Sequence, residues 1–206
     1  LLTLYYMPDT CALATHIALE EADAPFALKK VDFAKNEQRA PAYLAVNPKG
    51  RVPALATPQG VLTETPAMLA YVAQLYPAAN LAPFADPFAF AKVQALNSYL
   101  CSTLHVAHAH RMRGYRRADD PAAIAEMRRK APQAVGDCWA TVEQQLFEGP
   151  YAAGAAYTIA DPYLFTLAQW IEEDGVDIAR FPRVAEHRAR IAARPAVRKA
   201  LAAEAA

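Results

Sequence analysis

The chain has 206 residues with 21 basic and 21 acidic side chains, so its formal net charge is zero, which argues against a nucleic-acid surface. Over half the residues are apolar, yet charges interrupt every run before it could span a bilayer, and the N-terminus lacks the pattern of a secretory leader. A cytoplasmic protein without membrane or nucleic-acid partners is expected, and three scattered cysteines (Cys11, Cys101, Cys138) suit a reducing compartment without a disulfide framework.

Leu2 to Tyr6 is apolar and β-rich and reads as a buried strand, broken by Pro8-Asp9-Thr10. A helix follows from Cys11 to Ala22, then a second strand from Leu28 to Phe33, a compact order that makes a parallel βαβ unit with a right-handed crossover. Residues 34–46 form a loop with a short helix. Asn47-Pro48 and Lys49-Gly50 make a turn, and Val52-Pro53 opens an apolar run where a cis proline would leave the backbone of Val52 free to pair. Pro58-Gln59-Gly60 folds Ala54-Leu55-Ala56 back on Val61-Leu62 as a hairpin. Thr65 is expected to cap the next helix, with Pro66 at its first position.

Composition shifts after Pro77. Prolines at 77, 83 and 87 mark a linker, and the rest is helical and alanine-rich. The expected division is 1–77 as a thioredoxin-like α/β domain, 78–87 as linker and 88–206 as an all-helical domain. One long helix should run from Phe88 to Gly114. A second, capped by Asp119-Asp120-Pro121, should reach Glu148 with a kink or break at Pro132. Thr158 to Asp161 reads as a capping box with Asp in the Glu place, opening a helix to Glu173. Two shorter helices, divided at Arg194-Pro195, close the chain.

A free backbone edge at Val52 beside a helix N-terminus can hold an extended peptide by main-chain pairing and its carboxylate at the helix end. Glu64, just outside that helix, would attract the peptide's amine. Cys11 sits in the first helical turn, where the macrodipole and free N–H groups favour a thiolate. No second cysteine stands three residues on, since Ala14 is there, so Cys11 would need an outside thiol to complete a disulfide cycle. Tyr5 and Tyr6 flank the strand end, and alternation lets at most one hydroxyl reach a thiolate there. Cys101, His105 and His108 share a helix face at i, i+4 and i+7, a spacing that can bind zinc, but nothing nearby supplies a further ligand. A single histidine near the thiol, as hydrogen-bond donor or acid/base, is the preferred reading, and no metal is expected.

Together LYYMPDTCALATHIAL, NPKGRVPAL, TETPAMLAYVAQLYP and YTIADPYLFTLAQW resemble the cytosolic glutathione S-transferases, and within them the bacterial beta class, over nearly the whole chain. The resemblance implies a homodimer with glutathione as co-substrate, no tightly bound cofactor, and a helical domain that receives a small hydrophobic electrophile. It implies catalytic roles for Cys11 and His105, with Tyr5 and Tyr6 as further candidates. Val52, Pro53, Glu64, Thr65 and Lys35 would bind glutathione, and His105, His108 and Met112 would line the electrophile pocket. Asp9 stands where the family carries Gly and would raise the thiol pKa. Residues 105–117, HVAHAHRMRGYRR, depart from the family pattern.

The leading expectation is therefore conjugation of glutathione thiolate to hydrophobic electrophiles. The alternatives are a glutathione-dependent thiol–disulfide reductase or reductive dehalogenase with Cys11 as covalent partner, and a non-catalytic glutathione or hydrophobic-ligand binding protein.

Overall fold

A computed structural model describes residues 1–205. The N-terminal part runs β1 (Leu2–Tyr6), α1 (Ala12–Glu21), β2 (Phe26–Lys30), α2 (Pro41–Leu44), β3 (Ala54–Thr57), β4 (Gly60–Thr63) and α3 (Thr65–Leu75). Its four strands lie in the order β2-β1-β3-β4, with β1 parallel to β2 and antiparallel to β3. This is the thioredoxin-like α/β arrangement. The hairpin pairs Thr57 with Gly60, as the Pro58-Gln59 turn requires. β2 starts and ends earlier than its apolar pattern suggests. It pairs from Phe26, just past Pro25, and stops where the Asp32 carboxylate accepts the N–H groups of Ala34 and Lys35 and turns the chain.

The remainder is helical: α4 (Pro87–Tyr99), α5 (His105–Arg113), α6 (Pro121–Thr141), α7 (Ala160–Ala168), α8 (Pro182–Ala192) and α9 (Pro195–Ala205). The expected helix over 88–114 is α4 and α5 joined by a π turn at Leu100–Leu104, which widens the helix beside the cleft described below. α6 is not split at Pro132. It continues through that proline to Thr141 and ends in a second π turn, Val142–Leu146. The capping box forms: Asp161 accepts the N–H of Thr158 at 2.6 Å, and the Thr158 hydroxyl accepts the N–H of Ala160 at 3.3 Å. α7 stops at Ala168, short of Glu173, and turns carry the chain on to Gly175.

The connection after α3 is anchored. Leu81 is buried and its carbonyl accepts the N–H of Ile159 at 2.8 Å, while Asp86 caps α4 through the N–H groups of Phe88 and Ala89. α1 is buried continuously from Ala12 to Leu19, because it packs on α3 on one side and on α7 and α9 on the other. Two polar ties fix it to α9 and to the residue just before that helix. Buried His16 bonds Glu204 at 2.9 Å, and Glu21 takes a two-pronged bond from Arg194, at 2.5 and 2.7 Å. α1, which follows Cys11, is thereby packed between the two parts of the chain. Among the described residues no helix is long and apolar enough to cross a membrane.

Candidate active site

The cleft starts from the loop before β3. Asn47 is buried, and its side-chain amide donates to the Arg51 carbonyl at 2.6 Å while its oxygen accepts the Lys49 N–H at 3.2 Å. The Tyr43 hydroxyl donates to the same carbonyl at 2.7 Å, and burial pushes that phenol up to about 12, so it remains a donor. Gly50 adopts φ +59°, and a β-carbon there would come within 2.8 Å of the Gln38 carbonyl oxygen, so this turn requires glycine. The loop delivers Val52 and Pro53 to the cleft through a cis peptide bond.

Opposite this loop lies the start of α3. Thr65 is the first helical residue and not the cap. The capping position falls to Glu64, at φ 72° and ψ 113°, and no side chain caps the helix. The side chains of Glu64 and Lys49 reach each other at 2.5 Å across the mouth. An unfilled helix N-terminus, a carboxylate and an ammonium thus meet at one point, a combination suited to an amino-acid head group.

Cys11 closes the inner end. Its S–H points to the Val52 carbonyl at 3.9 Å. Burial raises the thiol to about 11, and the Thr65 hydroxyl and Arg113 pull it down by less. The thiolate expected from the helix end is therefore not the resting state. Asp9 takes no part in that shift. It is exposed at φ 59°, the left-handed conformation that glycine adopts freely and aspartate tolerates, so it fills a glycine position by backbone shape and not by its charge.

From the helical side come Cys101, His105, Val106, Arg113, Tyr163 and Trp170. His105 Nδ1 lies 3.4 Å from the Tyr163 hydroxyl, and its ring stands 5.2 Å from that of Trp170. Burial, then Arg113, lowers His105 to about 4, so the imidazole is uncharged at neutral pH. Burial and the neighbouring cysteines raise the Tyr163 phenol far above its ordinary value, which keeps it an O–H donor. The cavity, open to solvent at its mouth, measures about 290 Å³.

The structure brings Cys11, Val52, Pro53, Glu64, Thr65 and His105 together on this cavity. It does not bring the rest. Tyr6 is buried with its ring 6.3 Å from His16, and Tyr5 lies against Tyr43 at 5.7 Å with Lys29 over its face, so neither borders the cavity. Lys35 is 75% exposed and pairs with Asp32 at 3.2 Å, outside the cleft, where Lys49 stands instead. His108 turns inward to Asp174 and Trp139, and Met112 is 59% exposed. Both border a shallower hollow of about 120 Å³ beside Asp9.

Sequence reasoning missed Tyr163, Trp170, Lys49 and Arg51, and it gave no role to Arg113, Arg116 and Arg117, which line the cavity, Arg113 half-buried and the other two exposed. The proline after Val52 drew attention to that residue's backbone, and the turn reading of residues 47–50 left Lys49 and Arg51 unweighed. Tyr163 follows the Thr158 capping box by two residues beyond Asp161, a fixed offset that could have marked it.

Residues 1–74 match the family model "Glutathione S-transferase, N-terminal domain", and residues 108–204 match "Glutathione S-transferase, C-terminal domain". A glutathione transferase homologue from Sulfitobacter, solved with bound glutathione, is 44% identical with a TM-score of 0.94, covering 97% of this chain and 96% of that one. A bacterial beta-class enzyme from Sphingomonas chungbukensis is 34% identical with a TM-score of 0.85, covering 98% of each chain. Glutathione S-transferase GstA of Escherichia coli O157:H7 is 33% identical over 98% of both chains. The thioredoxin-like part and the helical part both match one family along nearly the whole chain, and this chain belongs to the glutathione S-transferases.

Proposed function

We propose that the protein is a glutathione transferase that binds the tripeptide in extended form along Val52 and presents its sulfur to a small electrophile. The observation that carries this reading is the convergence of Val52, Cys11 and the unfilled N-terminus of α3 on one cavity. The γ-glutamyl carboxylate belongs at Thr65 on the α3 N-terminus, its amine at Glu64, and the glycyl carboxylate within reach of Lys49 and Arg51. When the tripeptide's cysteinyl N–H takes over the Val52 carbonyl, the Cys11 S–H is released to donate to the incoming sulfur. Tyr163 supplies a second O–H donor on the same side. Two donors aimed at a sulfur stabilise its thiolate, and each unit by which they lower its pKa is worth about 1.4 kcal/mol.

Cys11 acts here as a donor and not as a nucleophile, because burial keeps it protonated. That favours conjugation over the disulfide-exchange alternative. The electrophile enters between Trp170, Val106 and the arginine-bearing end of α5. We further propose a cytoplasmic homodimer. Exposed Val61 on edge strand β4, Leu75 at the end of α3 and Phe88 at the start of α4, which is 75% exposed, are apolar surface of the kind subunit contacts cover.

Retention on immobilised glutathione and conjugation of a panel of electrophiles at saturating glutathione test the reading. Turnover supports it; tight binding with no turnover of any electrophile would make this a binding protein. Light scattering tests the dimer.

A further inference from the structure

The charges on the cleft do not balance. Arginine ion pairs in this chain are made by Arg111, Arg129, Arg188 and Arg194. The other ten arginines have no ion pair among the described residues, and four of those ten, Arg51, Arg113, Arg116 and Arg117, gather on one cavity. The single acidic side chain there, Glu64, is already engaged by Lys49. Like charges gathered without counter-charge cost free energy, and the cost is greatest where water is excluded.

Arg113 bears most of it. It is half-buried at the end of α5, whereas Arg116 and Arg117 are exposed on the rim. Burial and the Arg116 charge lower its guanidinium from the ordinary value, so its environment disfavours the charge that it nevertheless keeps. It stands close enough to Cys11 that each perturbs the other. His105, uncharged at neutral pH, neither adds to nor offsets the excess.

On the reading above, glutathione's charges fall on the opposite side of the cleft from Arg113. Its two carboxylates are assigned on that reading to the α3 N-terminus and to Lys49 and Arg51. The three arginines of residues 113–117 face them across the cleft, where the electrophile must lie. We propose that the second substrate is an anion, a small electrophile carrying a carboxylate that Arg113 binds bidentately, with Arg116 and Arg117 drawing it in from solvent. This rests on the transferase reading above and narrows its hydrophobic electrophile to a charged one. Trp170 and Val106 leave room for a flat apolar body, and the cavity of about 290 Å³ limits the ligand to a small molecule. A bidentate guanidinium–carboxylate pair fixes the orientation as well as the affinity of such a substrate.

A matched pair of aryl halides tests the proposal: 4-chloro-3-nitrobenzoate and its N-methyl amide. In each, the glutathione thiolate forms a C–S bond at the carbon bearing chlorine, the C–Cl bond breaks with its electron pair, chloride leaves and the thiol proton goes to buffer. Each kcat/KM is divided by the uncatalysed rate of the same compound, which removes the difference in intrinsic reactivity. The carboxylate should be favoured by about tenfold or more, the scale of a hydrogen bond to a charged group. Arg113→Gln should erase that preference chiefly through the KM of the carboxylate substrate, with glutathione affinity by calorimetry held within about twofold, and Arg113→Lys should restore part of it. Added salt should slow capture of the carboxylate alone, through screening of the rim.

Equal normalised rates for the two compounds would overturn the proposal. So would an Arg113→Gln protein whose only defect is weak glutathione binding, because that arginine would then belong to the tripeptide. A wild-type protein that neither binds glutathione nor turns over either compound would overturn the transferase reading itself, and the proposal with it.

Discussion

His108 Nε2 accepts a hydrogen bond from the indole N–H of Trp139 at 3.2 Å. Because an indole can only donate, that nitrogen is unprotonated and the ring proton sits on Nδ1, facing the Asp174 carboxylate, which also accepts from Arg111. This chain of bonds ties α5 to α6 and to the turn after α7. It holds His105 and Arg113, on the same helix, against the cleft without touching any substrate. Trp139→Phe replaces the fully buried indole with a smaller phenyl ring, leaving both a buried acceptor unpaired and a cavity. Urea denaturation should show a loss of about 1–3 kcal/mol, and an unchanged midpoint would refute the bond's role.

The low value at His105 makes stability depend on pH in a stated direction. Its folded value, about 4, lies below the ordinary 6.5, so the unfolded chain binds the extra proton between those limits. Stability is therefore fully present above pH 6.5 and falls as pH drops toward 4, by about 3 kcal/mol at most. Denaturation of wild type and His105→Gln at pH 7, 6 and 5 isolates this contribution as the difference in slope. Parallel curves would mean the imidazole is solvated.

A thiol raised to about 11 should resist alkylation. Iodoacetamide at pH 7.5 should leave Cys11 largely unmodified, with the rate climbing as pH approaches 11, followed by peptide mass mapping. Cys11→Ala should still conjugate, with activity lowered by about tenfold or less for the loss of one hydrogen-bond donor, and should show no disulfide reduction. Rapid labelling at neutral pH would restore the nucleophile reading.

Glu64 occupies φ 72°, a conformation that costs a side-chain-bearing residue about 1 kcal/mol or more. Glu64→Gly should relieve that strain and raise the denaturation midpoint slightly while weakening glutathione binding about tenfold or more. Glu64→Gln should weaken binding comparably without the gain in stability. A glycine variant with unchanged glutathione KM would remove Glu64 from the binding site.

Much of this could be read from residue order, and the limits are instructive. The strand–helix–strand unit, the hairpin, the Thr158–Asp161 box and the helical second half follow from spacing and turn chemistry, which act over a few residues. Errors fell where distant contacts intervene. The end of β2 is decided by an Asp32 turn, the cap of α3 passes from Thr65 to Glu64 through backbone conformation, and α6 runs through Pro132 with its neighbours packed around it. In the site, Cys11, Val52, Glu64, Thr65 and His105 were legible because each sits at a motif boundary. Lys35, Tyr5 and Tyr6 were misplaced because adjacency along a strand does not tell which way a side chain is used once other rings pack on it.

By itself, then, the sequence determined the elements, their order and the family they compose, since hydrophobic period and turn chemistry are local and survive without knowledge of neighbours. Only the tertiary structure decided the electrostatics of the cleft. A cysteine's protonation depends on the surroundings that bury it, and the meaning of three arginines on one turn depends on whether any carboxylate across the cleft answers them.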